Sequence, residues 1–246
     1  MIKLDVEVIP KTPIHIGYLR YGFINKVRYY VPGFTLNGAI NSALYLSYKK
    51  QSLKDVFFCS TFMFYENDKL LEEENIKKYF LFSKTSTQID NTRRTAKEGR
   101  LFNIEFISPT SKVIDENAPK QLTLKGSIFL KDEKFKEELI TILKSGVVKV
   151  GGEIKHGFGK VEFVIIKESE ISNDYKITVK ENEKLGILVK YNQEYADFID
   201  GKIDVIFTRR THYKIGYGLR KSYKGVFFSP FSIAKKDLEF NLSEFI

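Results

Sequence analysis

The chain has 246 residues, 43% hydrophobic and 29% charged, enough apolar mass for one large core or two small ones. Lysine and arginine total 40 against 31 acidic residues, so the net charge of +9 favours an anionic partner such as a phosphate backbone. No apolar run approaches the ~18–20 residues of a membrane helix, and a single cysteine excludes an intramolecular disulfide. Cys59 lies in the apolar run VFFCSTFMF and reads as a small core residue. With MIKLDVEVIP alternating like a strand rather than a signal peptide, the expected compartment is the cytoplasm.

The stretch from Ile2 to Ile16 alternates and predicts a strand broken at Pro13. Gly17 to Tyr30, rich in Gly, Arg and Tyr, reads as a loop or short hairpin. After Pro32-Gly33 the period changes. Leu36, Ala39, Ile40, Ala43 and Leu44 fall on one face of a helix, with Thr35 as its expected N-cap. Asp55 to Tyr65 predicts buried strand, and LLEEENIKKYFLFSKTST is a mixed signal ending in strand. LFNIEFISP and QLTLKGSIFL read as strand partners. KDEKFKEELITILKSG predicts a second helix, presenting Phe135, Leu139, Ile142 and Leu143 between an Asp132 cap and a Gly146 stop. VVKVGG and GKVEFVII predict two strands joined by a glycine-rich hairpin.

This order is the βαββαβ arrangement of an α+β, ferredoxin-like (RRM-like) antiparallel sheet, with an insertion between its helices. The last 80 or so residues are mainly strands: DYKITVKE, KLGILVKY, IDVIFTRR and KGVFFSPF. The expected division is 1–167 and 175–246, separated near the polar ESEISND. The second part is β-rich and basic, either a second, degenerate ferredoxin-like domain or a partial one.

Three segments gather cations beside glycines and aromatic rings. The first, HIGYLRYGFINKVRYYVPG, holds Arg20, Lys26 and Arg28; the second, KTSTQIDNTRRTAKEGR, holds Arg93, Arg94, Lys97 and Arg100. The third, RRTHYKIGYGLRKSYKG, holds Arg209, Arg210, Lys214, Arg220, Lys221 and Lys224 without one acidic residue. Six cations with no anion repel unless something acidic lies near. Single-stranded RNA answers to this mixture, with cations on phosphates and flat groups on unstacked bases. In the hairpin KVGGEIKHGFGKVEF, Gly151, Gly152, Gly157 and Gly159 permit close backbone approach while Lys155 and His156 offer donors. Taken singly, the glycine-rich hairpin is also what a plain turn looks like and NTRRTAKEGR what a solvated loop looks like, whereas RRTHYKIGYGLRKSYKG favours an anionic ligand.

His15, His156 and His212 lack the spacing of a zinc site, so no metal or cofactor is expected. A histidine beside a tyrosine or lysine could cleave RNA by general acid–base chemistry, which makes these three the candidates if the protein is a ribonuclease. The bland reading of each is a surface or RNA-contacting histidine. Phosphate-loop, nucleophile-elbow and dinucleotide-binding motifs are missing from the sequence.

Four stretches, in order over the first two-thirds of the chain, carry a resemblance: TPIHIG, YVPGFTLNGAI, STQIDNTRRTAKEGRLFNIEFI and GGEIKHGFGKVEF. The sequence resembles the RAMP superfamily of CRISPR-associated proteins, the RNA-binding subunits of type III antiviral effector complexes. The resemblance implies that CRISPR RNA and other effector subunits are the partners, with no membrane, and that the hairpin is the family's glycine-rich loop. In some backbone subunits of these complexes a loop aspartate cleaves target RNA with a divalent metal. The matching loop here, Gly17 to Pro32, has no Asp or Glu, and a metal step needs a carboxylate. The ending YKGVFFSPFSIA looks like the cap subunit that grips the 5′ tag of the guide. The readings are thus a non-catalytic 5′-tag-holding cap, a catalytically silent backbone subunit, or a metal-independent endoribonuclease processing CRISPR precursor RNA. A basic domain binding an acidic protein is the fourth. The ribonucleases of this group carry their glycine-rich loop near the C-terminus, whereas about 87 residues follow Gly159.

Overall fold

The computed structural model describes residues 1–48, 56–90, 92–112, 119–172, 174–212 and 216–244. They divide into two compact units, Met1–Ile171 and Ser172–Ile246.

In the first unit, β1 (Ile2–Pro10) alternates buried and half-buried along its whole length, as its sequence period requires. Its neighbours are β10 (Leu122–Leu130) and β11 (Val161–Glu170), both antiparallel, with a register shift against β11 at Asp5/Val6. Three short strands precede the first helix: β2 (Gly17–Tyr21), β3 (Ile24–Val27) and β4 (Tyr30–Val31). After it come β5 (Phe57–Cys59), β6 (Phe62–Glu66) and β7 (Lys69–Leu70). Both β5 and β6 pair with β10, so the main sheet runs β11-β1-β10-β5/β6, with β4 and β7 on β6. That antiparallel order is the ferredoxin-like one expected from the sequence.

The helices Gly33–Tyr48 and Lys136–Lys144 contact each other and pack against β5 and β11 respectively. They bury Leu36, Ile40, Ala43 and Leu44 from the first and Leu139, Ile142 and Leu143 from the second. Each such Leu or Ile contributes about 1.5–3 kcal/mol when fully withdrawn from water. Asp132 caps the 3-10 turn Glu133–Phe135 rather than the helix itself, accepting from the Lys134 amide at 3.1 Å. The helix then starts from Phe135 without a side-chain cap, and Gly146, at φ +72°, follows the helix end as the sequence implied.

Thr35 is not the cap of the first helix. The helix begins at Gly33, and the Pro32 carbonyl accepts from the amides of Thr35 and Leu36. Nor do Val147–Val150 form a strand: that side of the hairpin keeps one bridge, Lys149 to Lys160, and the Val150 amide donates to the Gly159 carbonyl, while Gly159 and Lys160 on the other side bond to Pro13 and Lys11 of the segment after β1.

The insertion is a second sheet. A long hairpin, β8 (Leu81–Asp90) and β9 (Thr95–Ile107), joins β3 through the parallel pairs Ile24–Asn103 and Asn25–Ile104, giving the order β2-β3-β9-β8. Among the described residues, the outer half of this ribbon, beyond Thr85–Asn103, pairs only with itself.

The second unit is strand-rich: β12 (Lys176–Val179), β13 (Val189–Lys190), β14 (Ile199–Asp200), β15 (Ile203–His212), β16 (Gly216–Phe228), β17 (Ile233–Ala234) and β18 (Leu238–Asn241). They form the pairs β12-β18 and β14-β17 and the sheet β13-β16-β15. Buried Val179, Leu188, Val189, Ile206, Phe228 and Phe240 give this unit a core of its own. No helix among the described residues is long and apolar enough to cross a membrane.

Candidate nucleic-acid interface

The glycine-rich loop is built onto the chain that leaves β1. The Gly152 amide donates to the His15 carbonyl at 2.8 Å, the Gly159 amide to Pro13 at 2.8 Å, and the Lys11 amide to Lys160 at 2.9 Å. Gly151 sits at φ +92°, and a Cβ there would stand 2.6 Å from the His15 carbonyl oxygen. Gly159, at φ +81°, is similarly closed by the Val150 carbonyl at 2.5 Å. The close approach these glycines allow is therefore made by the protein's own backbone. Gly157, at φ +86°, differs: nothing lies within 4 Å of the Cβ position, and it is exposed with Lys155 and His156.

The amides of His156, Gly157 and Phe158 all bond back to Glu153 or Ile154. The tip thus offers an outside ligand its side chains first. His156 faces Glu153 across 2.7 Å (Nδ1 to Oε2), and Glu153 itself takes a left-handed conformation at φ +57°. Phe158 anchors the other side of the loop, meeting Phe106 of β9 edge-on at 5.1 Å; Phe106 stacks on Phe82 of β8 at 6.0 Å. One loop thus ties the β1 exit to the β8–β9 ribbon.

At the ribbon's turn Arg93 and Arg94 are exposed, Arg94 at φ +54°. Arg20 is exposed on β2. Arg28, expected with the surface cations, is buried at 7% exposure. Its guanidinium lies 4.6 Å from the Tyr18 ring centroid and 5.7 Å from that of Tyr30, and Nη1 donates to the Tyr30 hydroxyl at 2.8 Å. A charge withdrawn from water and stacked this way organises the base of the hairpin.

His15 is equally enclosed, at 9% exposure, with Nδ1 2.6 Å from the Glu105 carbonyl oxygen. This removes it from the ready candidates for proton transfer and leaves His156 as the accessible histidine among the described side chains. Lys97, Arg209, Arg210, His212, Arg220 and Lys221 lie on β9, β15 and β16, but their side chains fall outside the described residues, as does Lys214 altogether.

Sequence reasoning missed Glu105. It comes from β9 to the base of the acid-free β2–β3 hairpin, is buried, pairs with Lys26 and accepts from the Val27 amide at 3.4 Å. Only the parallel β3–β9 pairing, across nearly 80 residues of sequence, brings it there. Burial first, then Glu105 and Glu73, pushes the neighbouring Tyr29 phenol up to about 12, so it stays protonated and cannot serve as a base near neutrality. Among the described residues no three of His, Cys, Asp and Glu gather as a metal-holding group.

No protein-family model and no curated protein matches the sequence. Solved structures do. A chain in the cryo-EM structure of Type III-B Cmr-beta bound to cognate target RNA and AMPPnP is 12% identical, with a TM-score of 0.56 over 96% of this chain and 86% of that one. A chain in Type III-B Cmr-beta bound to cognate target RNA gives a TM-score of 0.51 at the same identity and coverage. At this identity the likeness establishes the fold alone: this chain shares the architecture of a chain in Type III-B Cmr-beta.

Proposed function

We propose that this protein is a non-catalytic RNA-binding subunit of a CRISPR type III effector complex, and that it holds the 5′ tag of the guide RNA. One observation carries the reading. The glycine-rich loop, with Lys155 and His156 exposed, is fastened at once to the root of the acid-free β2–β3 hairpin and to the ribbon tipped by Arg93 and Arg94. Three of the basic segments, remote in sequence, thereby belong to one built assembly within the first unit. Clustered cations around exposed loops attract a phosphate chain, and the shared fold supports the choice of a CRISPR complex. Arg209, Arg210, Arg220 and Lys221 on β15–β16 are, in this reading, RNA-contacting residues that the second unit supplies by itself.

Incubating the purified chain with labelled CRISPR repeat-spacer RNA, with and without magnesium, tests it. Salt-sensitive binding without a cleavage product is expected. A discrete metal-independent cut within the repeat that disappears in His156→Ala would replace this reading by a processing ribonuclease.

A further inference from the structure

The tip of the β2–β3 hairpin displays aromatic rings on a braced turn. Tyr21 pairs with Ile24, so only Gly22 and Phe23 lie between the strands. Gly22 takes φ +57° as the first central residue, the arrangement that fits the natural strand twist. The turn is fixed from two sides: the Asn103 amide of β9 donates to the Phe23 carbonyl at 2.8 Å, and Arg20 Nε donates to the Gly22 carbonyl at 3.0 Å. On this fixed backbone Tyr21 is 62% exposed and Phe23 46%.

Two large rings held out in water by a rigid turn cost free energy unless a partner covers them. The partner's character follows from the surroundings. No acidic residue occurs from Gly17 to Pro32, and Arg20, exposed between Tyr18 and Tyr21, presents its guanidinium at the same tip. Exposed flat rings beside an exposed guanidinium, on a hairpin whose own residues include no carboxylate, suit a polyanion that carries flat faces of its own.

We propose that Tyr21 and Phe23 form a stacking platform for an unpaired base of single-stranded RNA, with Arg20 on the adjoining phosphate. The site rests on the RNA-binding reading above and adds which residues hold bases rather than the backbone. Stacking needs only a π face, so the platform accepts any base, and the rigid turn lowers the ordering cost of binding.

The test compares the full chain with its Tyr21→Ala/Phe23→Ala variant by fluorescence anisotropy, using a single-stranded oligouridine and a base-free ribose-phosphate strand of equal length. The variant should bind oligouridine about 5- to 100-fold more weakly, as loss of base stacking implies. It should bind the base-free strand as the wild type does, with the same salt dependence, since no phosphate contact is lost. Tyr21→Phe/Phe23→Tyr, which keeps both rings, should bind like the wild type and excludes misfolding as the cause of the loss. Equal binding of oligouridine by the wild type and the alanine variant overturns the platform while leaving the RNA-binding reading intact, as does an equal loss on both strands. Failure of the wild type to bind either strand overturns the RNA-binding reading itself, and the platform with it.

Discussion

Gly152 donates its amide to the carbonyl of His15 at 2.8 Å, and the space over that same oxygen is what forbids a side chain at Gly151. The glycine-rich loop is therefore a fitted part of the first unit, and its glycines divide by what they face.

Gly151→Ala and Gly157→Ala should behave differently. Both place a Cβ at positive φ, which costs about 1–2 kcal/mol. Gly151→Ala adds overlap with the His15 carbonyl, and the combined destabilisation should reach about 2–5 kcal/mol. Urea melts of both variants check this; equal losses would mean that the loop moves freely away from His15.

Charge reversal at Arg93, Arg94 and Lys155 should weaken RNA binding and flatten its salt dependence. Each phosphate contact removed lowers the slope of log K against log salt by about 0.7 on a single strand. The same change at Arg209, Arg210, Arg220 and Lys221 tests whether the second unit binds RNA as well. An unchanged slope removes the altered segment from the interface.

Tyr29 predicts an alkaline transition. Its phenol ionises at about 12 in the folded chain against 10.0 ordinarily. Its contribution to stability is complete below about pH 10, where folded and unfolded forms are both protonated, and is lost as pH rises towards 12 and the unfolded chain alone ionises. Tyr29→Phe should flatten the decline in denaturation midpoint over that window. An identical decline in the variant would assign the loss to other groups.

Cys59 should resist modification. It is 1% exposed on β5, and burial pushes its thiol well above the ordinary range. A thiol-reactive dye should label the native chain slowly at neutral pH and the urea-unfolded chain at once. Rapid labelling of the native chain would mean that β5 opens readily from β10.

The sequence determined the elements whose signal is local. The alternation of Ile2–Pro10 and the 3.6-residue spacing from Leu36 to Leu44 repeat within one strand or helix, so period alone assigned them, and their order implied the ferredoxin-like sheet. Glycine punctuation likewise marked the end of the second helix at Gly146, whereas Asp132 caps the short 3-10 turn that leads into it. Only the tertiary structure decided the candidate interface, because its contacts join residues far apart along the chain. Arg28 and Arg20 look alike in sequence, yet Tyr18 and Tyr30 enclose the first while the second stays in water. Glu105 reaches the hairpin through a parallel pairing that no local period encodes. The glycines of the loop announced close approach, but what approaches them, the carbonyls of His15 and Val150, depends on how β1 and the loop meet in space.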